Sequence, residues 1–532
     1  MSATSTPGVS KESSTNDLAA MHDCNGGSRM KELSDESTKA RIEQISRERP
    51  PNFPSASSEA SFVFSIAMAQ FLTEYLVSGF PVVLPVIIKE LDIPEASAVW
   101  PATAFSLVVA STLLVFGRLG DMKGNYPIFV AGMFWLLVWN VIAGLSVNPV
   151  MLYVCRALQG LGAAAVLPTA VGMVGSLYRP GRRKNMVFAI YGTMGILGFF
   201  GGILFAGIVG EFLTWGWYFW LAAILTAITL GTTLWTKPCC RSQMSGDKSL
   251  KMDYPGAITV VCGLILLVFA LTESAHAQSG WRTPYIPALF SLGVVLLLVA
   301  IYFQLYVSKH PLLPLSLFKT PALTPLLVSL LLLYGSWGIF SVYGTMYFQN
   351  IMYVSPLQVV AWYVPLGVVG LTASILEGLI LHAVPGKIIL IISGVSGLAS
   401  QLLLALMPLH GAYYWAWIFP ATITGSLALD LVTILATVFV TTSFPPAQQG
   451  LAGGVINSAL QLGVALVLGL TDIIQSRTVA DVGLAKSYKN TFWFGVAAGA
   501  VSLVVLAVWG KVPKATSSMT AEEIEELKRE AC

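Results

Sequence analysis

Apolar segments long enough to cross a lipid bilayer recur throughout this chain of 532 residues. A membrane-spanning helix needs roughly 20 apolar residues, because lipid satisfies no backbone hydrogen bonds. Hydrophobic residues make up 55% of the chain and charged residues only 11%, a balance that a soluble globular protein does not tolerate. We therefore predict an all-α polytopic membrane protein with about fourteen transmembrane helices. The predicted spans are 61–88, 99–117, 126–145, 151–176, 186–209, 217–234, 255–271, 285–307, 322–347, 357–381, 388–407, 412–440, 451–474 and 491–508.

The basic residues are distributed unevenly between the loops on the two sides of the predicted bilayer. Thirteen lysines and arginines, including the run from Arg182 to Lys184, fall in loops that share a side with the amino terminus, and only five fall in the opposite loops. Cytoplasmic loops of membrane proteins are enriched in lysine and arginine. The asymmetry therefore predicts that both termini are cytoplasmic.

Three ionisable side chains lie inside predicted spans, where a charge is costly. Glu74 is near the middle of the first span, Arg156 lies in the fourth and Asp430 in the twelfth. An arginine at bilayer depth costs roughly 2.5–3.5 kcal/mol even on lenient insertion scales, so such groups usually face a protein cavity. One cation and two anions on separate spans predict a charged transport cavity. The alternatives are structural: Arg156 binds carbonyl groups and Gln159, and Asp430 caps or pairs within the fold.

Glu74 and Asp430 are the candidates for proton coupling, because a proton carrier must be a buried carboxyl group that water still reaches. Other polar and aromatic side chains in the spans suit an organic ligand, although packing is the alternative for the aromatic ones. Gln70 and Glu74 share a helical face, as do Asn457 and Gln461, because residues four apart lie one above the other. The predicted lining of the substrate cavity is Gln70, Arg156, Gln159, Tyr334, Trp337, Tyr343, Gln349, Asn457 and Gln461.

Two short motifs carry a family resemblance. The string GRLGDMKG at 117–124 is predicted to be a tight cytoplasmic turn built on Gly117, Arg118, Asp121 and Gly124. The fourth span opens with RALQGLGAAA at 156–165, where Gly160 and its small neighbours allow close helix approach. Together the strings resemble the signature loop and the fourth-span motif of the major facilitator superfamily.

Further strings resemble the fourteen-span drug:proton antiporter family of that superfamily. They occur in the family's order, from about residue 62 to 509, and the chain looks most like the fungal aminotriazole-resistance type. The strings are WGWYF at 215–219, DYPGA at 253–257, GW at 280–281, PLLPLSLF at 311–318 and QGLAGGVIN at 449–457.

The resemblance implies a major facilitator fold, with two six-helix halves at 60–236 and 311–511 and two inserted helices within 237–310. It implies a cavity lined chiefly by the first, fourth, ninth and twelfth spans. Residues 1–59 are polar and are predicted to form a disordered cytoplasmic tail, and 512–532 a second cytoplasmic tail. The implied partners are a small-molecule substrate, protons and the lipid bilayer, with no cofactor, no nucleic acid and a monomeric state. The plasma membrane is the expected location, with the vacuolar membrane as the alternative.

Two departures from the family pattern leave the direction of transport open. Asn125, Tyr126 and Pro127 stand where the loop motif usually continues with basic residues. The fifth span keeps the glycines of the antiporter motif but lacks its proline. Its glycines act either as a hinge or as close-packing positions. They are Gly195, Gly198, Gly201 and Gly202.

The sequence excludes several other classes of function. No phosphate-binding G-x-x-x-x-G-K-[ST] loop occurs, which argues against an ATP-driven pump. The five histidines and six cysteines have no metal-ligand spacing and no G-x-S-x-G string occurs, so neither an enzyme nor a metal site is predicted. A receptor is disfavoured because the chain has no large soluble domain. We predict a proton-coupled exporter of drugs, toxicants or metabolites that works by alternating access, and the alternative is a facilitator or proton symporter for uptake.

Overall fold

The structure, a computed structural model, describes residues 49–50, 53–94, 97–178, 182–236, 251–277, 279–308, 311–312, 318, 320, 322–380, 384–409, 411–443 and 446–510. Within these ranges fourteen helices are long and apolar enough to cross a membrane, which confirms the predicted all-α polytopic class. In chain order they are α1 Ala56–Ser78, α2 Trp100–Lys123, α3 Asn125–Ala143, α4 Pro149–Leu177, α5 Arg182–Phe212, α6 Gly216–Trp235, α7 Tyr254–Glu273, α8 Tyr285–Tyr302, α9 Leu323–Ile339, α10 Pro356–Ile380, α11 Gly386–Leu406, α12 Phe419–Ser443, α13 Pro446–Val482 and α14 Leu484–Trp509.

Two of these helices continue beyond an irregular turn. After Gly79, α1 resumes as Phe80–Glu90. The helix α9 widens into a π-helical turn at Phe340–Gly344 and then continues as Thr345–Asn350. Such π-turns frequently occur at functional sites.

Some of the helices begin directly after a residue whose side chain caps them. Asn148 Oδ1 accepts a hydrogen bond from the Met151 amide at 2.8 Å, and Ser55 Oγ accepts one from the Ser58 amide at 3.1 Å. Such caps satisfy amides that have no partner inside the helix. Because Ser55 caps it, α1 begins at Ala56 and not after the predicted boundary at residue 59. The rest of the predicted tails, 1–48 and 512–532, lies outside the described residues.

The helices form two halves with the same internal packing. In the first half α1 packs on α5 and α6, α4 packs on α2 and α3, and α3 packs on α6. In the second half α9 packs on α13 and α14, α12 on α10 and α11, and α11 on α14. The halves meet where α2 contacts α13 and where α5 contacts α10. Every one of these contacts has an equivalent when the helices of the first half are matched in order to those of the second, as the predicted two-half fold requires.

The helices α7 and α8 form a pair outside these two halves. They pack mainly against each other, and α7 also contacts α2 and α13. Leu107 of α2, Val268 of α7 and Ala465 of α13 make a small buried cluster at this contact. The pair therefore lies against the joint between the halves, as expected of an insertion. The predicted domain boundaries near 237 and 310 lie outside the described residues.

An even number of crossings places the start of α1 and the end of α14 on the same face, which we call the terminal face. At this face Arg183 of α5 forms an ion pair with Glu59 of α1 at 2.5 Å. The hydrogen bond from Arg183 to Glu59 raises the pKa of the arginine. The pair fastens α1 to α5 within the first half.

The other face, which we call the opposite face, is closed by contacts between the halves. Gln349 of α9 donates to the carbonyl oxygen of Val82, beyond α1, at 2.9 Å. Pro356 of α10 packs against Gly210 of α5, where a methyl group would lie 3.1 Å from the proline Cβ. Phe80 and Phe340 are fully buried in the core between these contacts. A solute in the centre of the protein is therefore shut off from the opposite face.

Candidate functional site

A small cavity lies between the two halves. It has a volume of about 40 Å³ and is lined by residues of α1, α2, α4 and α5 on one side and of α9 and α13 on the other. One water molecule needs roughly 10–15 Å³ and a drug-sized ligand roughly 300–1,000 Å³. The space therefore suits a few waters or a small ion, and a larger ligand has to bind elsewhere along the interface. The polar and aromatic lining includes Ser78, Ser106, Arg156, Phe199, Trp337 and Ser341.

Arg156 forms part of the cavity wall, but its donors are already engaged. Its side chain is only 1% exposed. Nε donates to the carbonyl oxygen of Pro101 at 3.0 Å, Nη2 to that of Leu76 at 3.2 Å, and Nη1 to Gln159 Oε1 at 3.2 Å. Carbonyl groups of α1 and α2 thus hold the guanidinium, which belongs to α4.

Two rings and an amide complete the surroundings of Arg156. The guanidinium carbon lies 4.2 Å from the ring centroid of Phe80 and 4.6 Å from that of Phe105. Gln159 is fully buried and donates through Nε2 to Asn140 Oδ1 at 2.8 Å. The prediction that Gln159 lines the cavity is therefore wrong for this conformation. The amide instead orients Arg156 from within packed protein.

Arg156 does not form an ion pair with either acid of the predicted charged cavity. Among the described residues, no carboxylate lies within 4.0 Å of the Arg156 guanidinium. Arg156 reaches the backbone of Leu76, two residues beyond Glu74, and does not reach the Glu74 side chain. The structural alternative for Arg156, binding to carbonyl groups and Gln159, is the one that the structure contains.

Glu74 lies one helical turn from the small cavity, toward the terminal face. The residue is partly exposed, and its carboxylate accepts a hydrogen bond from Gln70 Nε2 at 3.2 Å. Val77 and Ser78 follow it on the same helical face and line the cavity. The phenol of Tyr191 on α5 is within electrostatic range of the carboxylate. Gln70 and Glu74 therefore lie on the cavity side of α1.

Asp430 occupies a comparable position in the second half. It is partly exposed, and Ser426 Oγ donates to its Oδ2 at 2.8 Å. A methyl group at Gly370 of α10 would lie 3.2 Å from the same oxygen, so α10 leaves room for the carboxylate. One hydrogen bond satisfies only part of the capacity of a carboxylate, which leaves acceptor sites for water, a proton or a ligand.

Tyr334 of α9 lies within electrostatic range of both acids. Its phenol interacts electrostatically with both Glu74 and Asp430. The hydroxyl group shares a hydrogen bond of 2.8 Å with Thr433 Oγ1, one turn beyond Asp430 on α12. Because Trp337 and Ser341, which line the small cavity, follow Tyr334 at helical spacing, Tyr334 lies on the same face of α9. One acid from each half therefore faces a common aromatic neighbour.

The polar face predicted on α13 extends the same interface. Val464 and Leu468 line the small cavity, and Asn457 and Gln461 precede them at spacings of seven and three residues. These spacings place all four side chains on one side of a helix. Asn457 is exposed and Gln461 is partly exposed. Added methyl groups at Gly192 of α5 and Gly453 of α13 would meet no atom within 4 Å.

Trp337 forms part of the wall of the small cavity. Its ring stacks on Phe340 with centroids 4.8 Å apart and lies 6.0 Å from Phe199 of the first half. Phe199 and Trp337 both line the cavity.

The structure removes two other residues from the predicted cavity. Tyr343 is 1% exposed and donates to Asp472 Oδ1 at 3.3 Å, away from the interface between the halves. Gln349 is used in the closure of the opposite face through Val82. Neither side chain lines the small cavity in this conformation, because Tyr343 is directed toward α13 and Gln349 lies at the closed opposite face.

The glycines of α5 bring that helix against the backbone of α1. A methyl group at Gly198 would lie 2.6 Å from the Phe71 Cα atom, and one at Gly202 would lie 2.6 Å from the Tyr75 carbonyl oxygen. Methyl groups at Gly195 and Gly201 would lie 3.1 Å from the side chains of Gln70 and Phe71. Close packing therefore requires glycine at Gly198 and Gly202.

The loop motif is mostly helix, which corrects the predicted turn. The helix α2 runs through Gly117, Arg118 and Asp121 to Lys123, and only Gly124, at φ 94°, breaks it. Gly117 packs against Pro168 of α4, which explains a glycine in a helix. Arg118 Nη2 donates to the Lys251 carbonyl oxygen at 3.4 Å, whereas Asp121 is exposed.

Gly160 of the fourth-span motif allows a similarly close approach. A methyl group there would lie 2.6 Å from the Phe105 carbonyl oxygen of α2. This contact brings α4 close to α2, whose Pro101 carbonyl oxygen binds Arg156.

One buried group was missed by the sequence analysis. Asp472 of α13 is 1% exposed, and its Oδ2 lies 3.0 Å from Nε2 of His276, in the loop after α7. Asp472 satisfies the criterion that identified Glu74 and Asp430, an acid inside an apolar span. Its partner has no signature, because His276 follows the end of a helix, where exposure to solvent is the ordinary expectation.

A fourteen-helix bundle with two matched halves and a central cavity defines a polytopic transporter. A family model described as Major Facilitator Superfamily matches residues 66–468, which is more than half of the chain. The protein therefore belongs to the major facilitator superfamily and is a transporter, not an enzyme. This confirms the family that the short motifs predicted.

Curated relatives cover nearly the whole transporter. The low affinity ammonium transporter of Saccharomyces cerevisiae is 30% identical over 85% of this chain and 88% of that protein. The efflux pump terJ of Aspergillus terreus is 28% identical over 85% of this chain and 88% of that protein. The aminotriazole resistance protein of Saccharomyces cerevisiae is 26% identical over 87% and 86%, which confirms the resemblance to that type.

Solved transporter structures share the fold. A POT family transporter in complex with 5-aminolevulinic acid superposes with a TM-score of 0.63, at 16% identity, over 85% of this chain and 96% of that chain. A bacterial homologue of the human lysosomal transporter Spinster, inward-facing and unoccupied, gives a TM-score of 0.58 at 15% identity. The match covers 87% of this chain and 100% of that chain. At these identities the likeness concerns the fold alone.

Proposed function

We propose that the protein is a proton-coupled exporter of small molecules and that Glu74 and Asp430 carry the protons. The observation that carries this proposal is the pairing of one partly exposed acid from each half around Tyr334. Within the described part of the chain, no basic side chain lies within 4.0 Å of either carboxylate. Each acid can therefore change its protonation state without breaking an ion pair.

The charges along the interface favour a substrate that carries positive charge. The charge of Arg156 is occupied by carbonyl groups and two rings, whereas both acids remain accessible. The rings of Tyr191, Tyr334 and Trp337 flank this acidic region, and aromatic faces attract cations. A protonated amine or a lipophilic cation meets these requirements, and a small cation such as ammonium also fits the cavity of about 40 Å³.

A transport cycle follows from this geometry by alternating access. We propose that the terminal face is cytoplasmic, which the excess of basic residues in its loops supports. With the opposite face closed, deprotonated Glu74 and Asp430 take up a cationic substrate from the cytoplasm. After the halves rock, protons from outside compete for the same carboxylates and release the substrate.

The proton gradient is a sufficient energy source, so the proposal includes no cofactor. A membrane potential of roughly 100 mV supplies about 2.3 kcal/mol for one charge, and one pH unit supplies about 1.4 kcal/mol. For a neutral substrate the sum sustains a gradient of several hundredfold, at about 1.4 kcal/mol for each factor of ten. For a monovalent cation exchanged with one proton no net charge moves, so only the pH difference drives export. We further propose a monomer in the plasma membrane.

The proposal is tested with purified protein in liposomes. Ethidium, ammonium and an uncharged aromatic compound are compared as substrates under an imposed pH gradient. Gradient-driven movement of a cation that an uncoupler abolishes supports proton antiport. If the uncoupler leaves the movement of every substrate unchanged, proton antiport is contradicted.

Uptake is the second candidate function, and one relative favours it. The 30% identical ammonium transporter is named for ammonium transport and not for efflux. Deletion and overexpression in cells distinguish the two directions. An exporter lowers cellular accumulation of its substrate when overexpressed, whereas an uptake system raises it.

A further inference from the structure

A second acid–base pair lies outside the cavity, near the opposite face. His276 Nε2 is 3.0 Å from Asp472 Oδ2, and the two side chains are 8% and 1% exposed. The hydroxyl group of Tyr343 on α9 donates to the other carboxylate oxygen, Oδ1, at 3.3 Å. A single carboxylate therefore joins the loop after α7, the helix α13 and the π-helical turn of α9.

The helices approach closely enough to bury this pair. A methyl group at Gly469 of α13, three residues before Asp472, would lie 2.8 Å from Thr272 Oγ1 of α7. Thr272 itself is fully buried. The inserted helix pair is thus packed directly against the half that contains α9 and α13.

The buried pair is electrically neutral only when it holds one proton. Imidazolium with carboxylate and imidazole with carboxylic acid both satisfy this condition. Removal of that proton leaves a lone carboxylate away from water, and an uncompensated buried charge is strongly destabilising. Proton release therefore favours a conformation in which Asp472 becomes hydrated.

Of the neighbouring groups, the Glu273 carboxylate favours the protonated pair, the Tyr488 ring is neutral, and the Arg477 cation acts in the opposite direction. The Glu273 carboxylate, at the end of α7, adds negative charge near His276 and accepts a hydrogen bond from Tyr285 of α8 at 3.3 Å. On α14, the Tyr488 ring lies 6.1 Å from the Tyr343 ring. Arg477, further along α13, lies against Gly280 in the loop between α7 and α8.

The pKa of His276 reflects these neighbours. Burial disfavours the imidazolium, but Asp472 and then Glu273 outweigh burial and raise the pKa above its ordinary value. A raised pKa means that the pairing energy is fully present below the ordinary histidine pKa of about 6.5. It is lost as the pH rises through the higher value in the folded protein.

We propose that His276 and Asp472 form a proton-binding site that holds the opposite face of the transporter closed. Tyr343 transmits the effect, because the segment after its π-helical turn carries Gln349, which bonds to Val82 across the halves. Protons that enter from the opposite face stabilise the closure seen here, and their release weakens it. In the exchange cycle, proton binding at this site closes the opposite face again after the substrate has been released there. This direction rests on the proposed function.

The test measures closure directly and does not need a substrate. Spin labels at Lys89→Cys and Gln358→Cys, exposed on the opposite face of the two halves, are attached to a variant that lacks native cysteines. Distances between the labels are recorded in lipid nanodiscs between about pH 5.5 and about pH 8, which brackets the ordinary histidine pKa. We expect the ratio of short to long distances to fall with rising pH, by at most about tenfold per pH unit for one proton.

Two substitutions should abolish this pH dependence, and a third should preserve it. His276→Gln and Asp472→Asn each remove one member of the pair. Glu273→Gln retains both members of the pair and should only lower the pH at the midpoint of the distance change. Tyr343→Phe should leave the protein folded but weaken the response of the labels. An unchanged pH response in either His276→Gln or Asp472→Asn, or no response in the unsubstituted background, would overturn the proposal.

The outcome is separable from that of the proposed function. Glu74→Gln removes a proposed proton carrier of the cavity and should leave the pH-dependent distance intact. Loss of the response in Glu74→Gln would place the responsible proton in the cavity and contradict the role of His276 and Asp472. If transport proves independent of protons but the pH dependence of the distance still requires His276, the proposed proton site is supported and the proposed antiport is contradicted.

Discussion

Nη2 of Arg156 donates to the carbonyl oxygen of Leu76 at 3.2 Å, on the same helix as Glu74 and two residues beyond it. A permanent cation thereby ties α4 to α1 without pairing with the nearest acid. Because Arg156 bonds to this backbone carbonyl group and not to the Glu74 carboxylate, Glu74 remains available for a proton or a cationic substrate. Arg156 therefore stabilises the fold around the cavity, and Glu74 and Asp430 are partly exposed acids at the interface outside that cavity.

Replacement of Arg156 should lower stability in every transport state. Arg156→Gln loses hydrogen bonds from a charged group to the Pro101 and Leu76 carbonyl oxygens, at roughly 1.5–3 kcal/mol each. Arg156→Lys keeps the charge but loses the planar donor geometry, so it should lower the melting temperature less. Thermal unfolding in detergent measures the effect. A variant of full stability with altered substrate preference would show that Arg156 faces the substrate.

Two glycines of α5 give a matched test of close packing. Gly198→Ala would place its methyl group 2.6 Å from the Phe71 Cα atom, whereas Gly192→Ala would place it in open space. Overpacking costs roughly 1–3 kcal/mol, while alanine in place of an exposed helical glycine gains up to about 1 kcal/mol. We expect Gly198→Ala to lower the melting temperature and Gly192→Ala to maintain or raise it. Equal effects would mean that α5 does not lie against α1 as described.

The hydrogen bond that closes the opposite face should bias the conformational equilibrium. Gln349→Ala removes the bond to the Val82 carbonyl oxygen, worth roughly 0.5–1.5 kcal/mol. The ratio of closed to open protein should fall by up to about tenfold. Labelling of a cysteine introduced at Val83, which is buried in this conformation, measures this ratio. Gln358→Ala, at an exposed position on the same face, is the control. Equal labelling of the two variants would contradict the role of Gln349.

Aromatic residues beside the acids should contribute to the affinity for a cation. Trp337→Leu removes a ring that lines the small cavity, and Tyr334→Leu removes one that lies near both acids. A cation–π contact contributes roughly 0.5–2 kcal/mol, so the KM for a cationic substrate should rise by about two- to thirtyfold. Tyr334→Phe keeps the ring and should change the KM less. A KM that stays constant in both leucine variants would show that the substrate binds away from these rings.

The parts of this fold that depend on length and apolarity could be predicted from the sequence. The fourteen spans follow from hydropathy, because only a helix can satisfy its own backbone in lipid. Glu74 and Asp430 were found in the same way, as acids at a depth where exposure to lipid is prohibitive. Asp472 satisfies that criterion as well, near the end of its predicted span.

The contacts that decide the roles of individual residues could not be predicted. Arg156 binds backbone carbonyl groups, which every residue has, so no side-chain pattern identifies its partners. His276 is buried only because α7 packs against α13, a long-range contact that no local pattern encodes. Gly117 was assigned to a turn because glycine is common in turns, but packing against Pro168 keeps it in a helix.

The central claim is that Glu74 and Asp430 exchange protons for substrate, and proton movement driven by substrate tests it most directly. Liposomes containing the protein and an internal pH-sensitive dye receive a cationic substrate on one side, with no gradient imposed. We predict that substrate entry moves protons outward and makes the interior alkaline. Glu74→Gln combined with Asp430→Asn should abolish this change while the protein remains folded. Substrate entry without any pH change in the unsubstituted protein, or an undiminished change in the double variant, would contradict the account.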